Sequence, residues 1–148
     1  MAISGRLTDG MIIYERAKKE VDSYRDNFGI EIPTKVLVER MANYMHMHTL
    51  YGQFRPLGSD ILIASREGGK NQLYKIESSG SFRGYFGVTS GKGHQVAKTW
   101  MEKVDRTKPM SECLKEVALG LVSAHEEFKE KTWEMEVGWV GEDTGNEW

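Results

Sequence analysis

A mixed α+β fold is predicted for this chain of 148 residues, and three patterns predict it. Two long stretches near the start repeat apolar residues every three or four positions, as helices with one packed face do. Three short apolar runs follow, joined by the segments EGGKN and ESSGS, and a late segment alternates apolar and polar residues with a period of two. Helices before and after a run of strands, without a repeat or a linker, suit layered packing in a single domain over residues 1–148.

Taken in order, Ala2–Gly5 has the character of the tail of a strand. Tyr14, Ala17, Val21, Tyr24 and Phe28 then share one helical face, Glu15 and Lys19 make a favourably oriented pair, and Gly29 is a natural stop. A second helix follows Pro33, with Leu37, Met41, Tyr44, His48 and Tyr51 on one stripe. It must end before Pro56, which lacks a backbone donor and biases Arg55 away from the helical region, while Gly58 tolerates the geometry that re-aims the chain. The continuous apolar run Ile61–Ala64 predicts a strand covered on both faces.

Strands are expected over residues 59–65, 72–76 and 82–89, and the turn-forming residues between them make an antiparallel meander the economical topology. Gly87 and Gly91 permit close approach or unusual dihedrals on the way into a helix over residues 94–104. After Pro109, Ser111 is a good N-cap for a further helix whose face is Leu114, Val117, Ala118, Leu121, His125 and Phe128. Trp133, Met135, Val137 and Trp139, alternating with Glu134, Glu136 and Gly138, predict a last strand with one face buried.

Composition is that of an ordinary globular protein: 39% hydrophobic, 28% charged and a net charge of −2. Neither a nucleic-acid partner nor a solvating acidic tail is suggested. No stretch approaches the length of a membrane span, and Met1–Gly10 lacks the blocks of a signal peptide. The single cysteine, Cys113, has no internal partner, which fits a reducing compartment, cytosol or nucleus.

Candidate chemistry is weak. Gly87–Gly93 invites comparison with a phosphate loop, but three residues rather than four separate Gly87 from Gly91, and Gly93 rather than Ser or Thr follows Lys92. His46 and His48, two apart on a helix, point away from one another, and His125 sits on a packed face. Cys113 lies in a first helical turn but has no base at fixed spacing, with Glu112 and Glu116 as poor neighbours for a thiolate. Glu126, Glu127 and Glu130 alternate with Lys129 and Lys131, as on a solvated face. The expectation is no catalytic residue, no metal and no cofactor.

Two runs carry a family resemblance: YGQFRPLGSDILIAS at 51–65 and GYFGVTSGKGHQVAKTWMEK at 84–103. Together they resemble the alpha-type subunits of the 20S proteasome. Arg55, Pro56 and Gly58 match that family's turn before a central strand. Gly87, Gly91 and Lys92, and then Gln95, Lys98 and Thr99, match its strand-to-helix junction and the helix that follows, although Val96, Trp100 and Met101 depart from the pattern. KEVALGLVSAHEEFKEKTWEMEVGWVGE at 115–142, which carries Trp139 and Gly141, resembles the alpha type-three branch.

The resemblance implies the later part of a four-layer αββα sandwich, the N-terminal nucleophile hydrolase-like fold. It also implies a noncatalytic structural role in a seven-membered outer ring that helps form the substrate entrance, in cytoplasm and nucleus. Implied partners are other alpha subunits, the adjacent beta subunits and, through the complete ring, proteasome activators. A beta-type threonine protease is the enzyme alternative; it requires a processed N-terminal Thr, and Thr8 and Thr34 lie in or beside predicted helices. An alpha-like module that engages proteasome partners without completing a ring is the third. Nothing in the sequence corresponds to the family's Gln-Val-Glu-Tyr-Ala helix, its gate segment or its opening strands, so a fragment, a truncated gene model or a shortened variant is expected, either self-associating through strands lacking partners or only marginally stable.

Overall fold

The computed structural model describes residues 1–105, 107–128 and 133–141. The order of elements is β1 (Ala2–Gly5), α1 (Leu7–Phe28), α2 (Thr34–Leu50), β2 (Ser59–Glu67), β3 (Lys70–Ile76), β4 (Phe82–Gly84), α3 (His94–Met101) and α4 (Met110–Phe128). This is an α+β arrangement, with two compact units built on Met1–Phe86 and Gly87–Gly138.

In the first unit the strands form an antiparallel meander in the order β1-β2-β3-β4. Gly68 and Gly69 both have positive φ, 56° and 77°, which gives the two-residue turn whose twist matches the strands and sets Glu67 opposite Lys70. Both helices lie on one face of the sheet, α1 over β1 and β2, α2 over β2, β3 and β4. Between the layers lie Ile13 and Ala17 of α1, Val38, Met41, Ala42 and Met45 of α2, Ile61 and Ile63 of β2, Ile76 of β3, and Leu57 from the turn before β2. Two links tie α2 to β2: the Thr34 N–H donates to Glu67 Oε2 at 3.1 Å, satisfying a donor of the first helical turn, and Thr34 Oγ1 donates to Ser65 Oγ at 2.8 Å. At the far end of α1, Gly29 takes φ 68° and its N–H caps the Arg25 carbonyl at 2.8 Å.

Several expectations are corrected. Helix α1 starts seven residues before Tyr14, and its buried face carries Asp9, Gly10, Ile13 and Ala17, while Tyr14 and Phe28 are exposed. Val21 and Tyr24 are half-buried. The expected face keeps Ala17, with Val21 and Tyr24 at its margin, but takes Ile13 in place of Tyr14 and runs on through Gly10 to the buried Asp9. In α2 the buried stripe is Thr34, Val38, Met41, Ala42 and Met45; Leu37 and Tyr44 pack at its margin and Tyr51 is exposed beyond the helix end. Strand β2 is covered on one face only among the described residues: Ile61 and Ile63 are buried, Leu62 is half-buried and Ala64 is exposed. Strand β4 stops at Gly84, five residues short of expectation, after which Phe86 is exposed.

The second unit is a helical pair. Helix α3 ends at Met101 rather than near residue 104. Helix α4 begins at Met110, and the Pro109 carbonyl accepts from the N–H groups of Glu112 and Cys113, so Ser111 lies inside the first turn rather than capping it. Its buried positions are Gly120 and Ala124, whereas Leu114 and Leu121 are exposed. Gly120 sets this packing: a Cβ there would stand 2.9 Å from Trp100 Cβ, so the indole of α3 comes down on a residue without a side chain. The side chains of Glu126, Glu127 and Phe128, together with Lys129, Glu130 and Lys131, lie outside the described residues.

Residues 133–141 are irregular, and no described strand pairs with them, so the strand expected at Trp133–Trp139 is not formed. Trp133, Met135, Val137 and Trp139 are all exposed. A period-two pattern sets which side chains share a face, but a strand also needs a neighbour for its peptide groups.

Candidate functional site

The turn at residues 55–58 is the place where the chain concentrates its buried polar interactions. Its centre is Asp9, in the first turn of α1, whose side chain is 1% exposed. Arg55 donates from Nη1 to Asp9 Oδ2 and from Nη2 to Asp9 Oδ1, both at 2.7 Å, the two-point geometry that suits guanidinium and carboxylate. The Gly58 N–H donates to Oδ2 at 2.9 Å. The Arg55 hydrogen bond first, and the Gly58 N–H second, hold the Asp9 carboxyl well below the usual carboxylate range, against the opposing effect of burial. The same pairing holds Arg55 above its already high value.

Backbone contacts complete the connection. The Arg6 N–H donates to the Gly58 carbonyl at 2.8 Å, and Ser59 Oγ donates to the Arg6 carbonyl at 2.8 Å. The end of β1, the start of α1 and the entry to β2 are thereby joined at one point. Leu57 is buried in the core at the centre of the turn, and Pro56, with its carbonyl accepting from Arg55 Nη1 at 3.1 Å, stays outside. The arrangement can orient a strand; it presents no nucleophile and no base beside one.

Gly58 has a different role from the expected one. Its φ is not among the positive values, and a Cβ would meet only Asp9 Oδ2 at 3.7 Å and Arg6 Cβ at 3.8 Å, ordinary contacts. Gly5 is the constrained residue: its φ is 119°, and a Cβ would fall 2.4 Å from the Gly58 carbonyl oxygen. Sequence reasoning missed both Gly5 and Asp9. An Asp in a first helical turn is ordinary on dipole grounds, and no local signal distinguishes a buried one from a solvated one.

Arg55, Pro56 and Gly58 are thus brought together. Gly87, Gly91, Lys92, Gln95, Lys98 and Thr99 belong to the second unit. A Cβ at Gly87 would meet Met101 Sδ at 2.6 Å, and Gly91 and Gly93 take φ values of 94° and 77° before α3. Thr99 Oγ1 donates to the Gln95 carbonyl at 3.1 Å, and Lys98 stands 4.0 Å from Glu102 on the exposed side of the helix. Trp139 is exposed and Gly141 lies in irregular chain.

The other candidates are occupied by packing. His46 Nδ1 lies 3.0 Å from the Ser79 carbonyl oxygen. His48 Nδ1 lies 2.9 Å from the Tyr44 carbonyl oxygen, and its ring sits between Tyr44 and Phe54. His125 stacks on Trp133 at 4.7 Å. Cys113 Sγ is within 3.5 Å of the Asp105 carbonyl oxygen and 3.6 Å of that of Lys108. Among the described residues no group of three or more His, Cys, Asp or Glu side chains is placed to hold a metal ion, and no helix is long and apolar enough to cross a membrane.

Comparison with known proteins gives a consistent result. The family described as proteasome subunit matches residues 1–140. The chain is 43% identical over 147 residues to the proteasome subunit alpha type-3 of Dictyostelium discoideum, covering 99% of this chain and 59% of that protein. It is 41% identical over 147 residues to the alpha type-3 subunit of Acanthamoeba castellanii, covering 99% of this chain and 58% of that one. Against a probable proteasome subunit alpha type-7 of Schizosaccharomyces pombe it is 37% identical over 145 residues, with 97% and 57% covered. The chain therefore spans less than two thirds of the length of the curated relatives it matches.

Proposed function

Because this chain belongs to the proteasome subunit family, we propose that it is a noncatalytic, structural alpha-type subunit of the 20S core particle, contributing to the outer ring that controls substrate entry. The observation that carries the reading is the likeness to alpha type-3 subunits across nearly the whole chain. The Asp9–Arg55 pair supports it: the chain's best-built polar site spends its charges on aiming a strand.

The finer fold follows as part of the same proposal. A sheet with two helices on one face supplies two layers. In the four-layer αββα reading, the uncovered face carrying Leu62 and Ala64 takes a second sheet. Other alpha subunits in a seven-membered ring, the neighbouring beta subunits and, through the complete ring, activators are the proposed partners, with cytoplasm and nucleus as the location. The beta-type alternative has less support: Thr8 lies inside α1, and the Thr34 hydroxyl is committed to Ser65.

Co-expression with a complete set of alpha-type subunits tests the reading. Native mass spectrometry is expected to find the chain in ring assemblies, and the purified chain is expected not to hydrolyse fluorogenic peptides. Exclusion from every ring species while the chain stays folded overturns the ring role; hydrolysis abolished by a point substitution in this chain overturns the noncatalytic one.

A further inference from the structure

Among the described residues, the segment Trp133–Trp139 has the pattern of a strand and no strand beside it, and the outer edge of β4 is unpaired. Each supplies what the other lacks. The Tyr85 N–H donates to the Leu73 carbonyl and the Glu77 N–H to the Ser81 carbonyl, so residues 81, 83 and 85 turn their peptide groups inward toward β3. By the alternation of an antiparallel ladder, Phe82 and Gly84 present theirs outward, ready for another strand.

The two faces of that edge also differ. Phe82 packs at the margin of the core on the helix side, and Gly84, on the same side, exposes the ring of Tyr74, whose Cε1 is 3.4 Å from where a Cβ would stand. Arg83 is exposed on the opposite side, across from Lys75. A matching strand must carry apolar groups on one face and acidic groups on the other, which is the composition of Trp133, Met135, Val137 and Trp139 against Glu134 and Glu136.

We propose that the Trp133–Trp139 segment of one copy adds as an antiparallel strand to β4 of a second copy, with Glu136 opposite Arg83, forming a reciprocal homodimer. In that register Val137 lies beside Phe82, and Met135 crosses Gly84 onto Tyr74, filling the place of the missing side chain. Phe82 with Val137 and Gly84 with Met135 become hydrogen-bonded pairs. Arg83 and Glu136 form the intervening pair, in which side chains approach most closely. In the reciprocal exchange the same contact is made twice about a two-fold axis, so the proposed assembly is a closed dimer. It does not depend on the ring role proposed above.

Sedimentation of the full chain tests this with a charge-reversal cycle at positions where both side chains are exposed. The wild-type protein is expected to sediment as a dimer. Arg83→Glu and Glu136→Arg should each weaken dimerisation about tenfold or more, because like charges then face each other at both symmetric sites. The double variant should return to near the wild-type affinity. Circular dichroism confirms that each variant is folded. A folded monomer at concentrations up to about 100 μM, association indifferent to the single reversals, or a double reversal as weak as the singles overturns the proposal; indifference would also assign the association to unspecific apolar contact.

Discussion

Arg55 reaches Asp9 across 46 positions of sequence and meets both carboxylate oxygens at 2.7 Å, one guanidinium nitrogen to each. The pair is asymmetric: the Asp9 side chain is 1% exposed and that of Arg55 is 56% exposed. Removing the arginine therefore leaves a carboxylate inside the protein without its cation. Removing the carboxylate leaves an arginine that water can solvate, although the Gly58 N–H also loses its acceptor.

Arg55→Ala should consequently lower the melting temperature more than Arg55→Lys, since lysine keeps the charge but cannot make both bonds. Asp9→Asn, which keeps an acceptor for the Gly58 N–H, should be milder than Asp9→Ala. Differential scanning fluorimetry of the four variants checks the order, and an Arg55→Ala protein as stable as wild type would remove the pair from any role in holding the turn.

Acid should act on the same pair. The Asp9 carboxyl is held down in the folded chain, by Arg55 first and by the Gly58 N–H second. As pH falls, the unfolded chain therefore takes up this proton before the folded chain does. The stability contributed by Asp9 is fully present above the ordinary carboxylate value of about 4 and is lost as pH falls from there through the depressed folded value. Asp105 adds in the same direction, its carboxyl lowered by the Thr107 backbone N–H and then the Thr107 hydroxyl. Urea midpoints between pH 7 and pH 2 should fall more steeply for wild type than for Asp9→Asn, and parallel curves would contradict the linkage.

The elements that sequence patterning foresaw are those decided locally. Gly29, Pro33, Pro56 and the Gly68-Gly69 pair each act through their own backbone, and the boundaries they mark were legible. What escaped was decided by contacts distant in sequence. Ile13 rather than Tyr14 faces inward, on the same side of α1 as Asp9, and Asp9 is buried because Arg55 is there to meet it. The buried positions Gly120 and Ala124 of α4 depend on Trp100 needing room. The alternation over Trp133–Trp139 is a true strand pattern, but no periodicity within a segment can supply the neighbour it pairs with. Of the candidate site, Arg55, Pro56 and Gly58 were legible through the family resemblance, whereas Asp9 and Gly5 had no signal of their own.

The two glycines at this junction should respond differently. Gly5 has φ 119° and a Cβ there would stand 2.4 Å from the Gly58 carbonyl oxygen, so Gly5→Ala combines strain with a clash against backbone. A loss of about 1–3 kcal/mol from strain alone is expected. At Gly58 the φ is not positive and the space is open, so Gly58→Ala should change stability by less than about 1 kcal/mol, the ordinary range for such a surface site. Equilibrium urea unfolding of the two single variants decides this, and a Gly58→Ala loss equal to that of Gly5→Ala would show that the turn is tighter than its geometry indicates.

The core beneath the turn supplies the last test. Ile61 is 0% exposed and follows Gly58 by three residues, so its side chain enters the core in a position that the Asp9 connection aims. Ile61→Ala should cost about 2–5 kcal/mol, the usual range for a buried aliphatic truncation with its cavity. Leu62→Ala, on the uncovered face of the same strand, should cost clearly less in the isolated chain. If the strand is correctly aimed only while Arg55 holds Asp9, the loss from Ile61→Ala should shrink in an Arg55→Ala background, because the side chain is then less completely buried before it is removed. A double-mutant cycle by urea unfolding measures the coupling. Strict additivity of the two losses would show that Ile61 packs independently of the pair, and that the connection fixes the chain's path only at the turn itself.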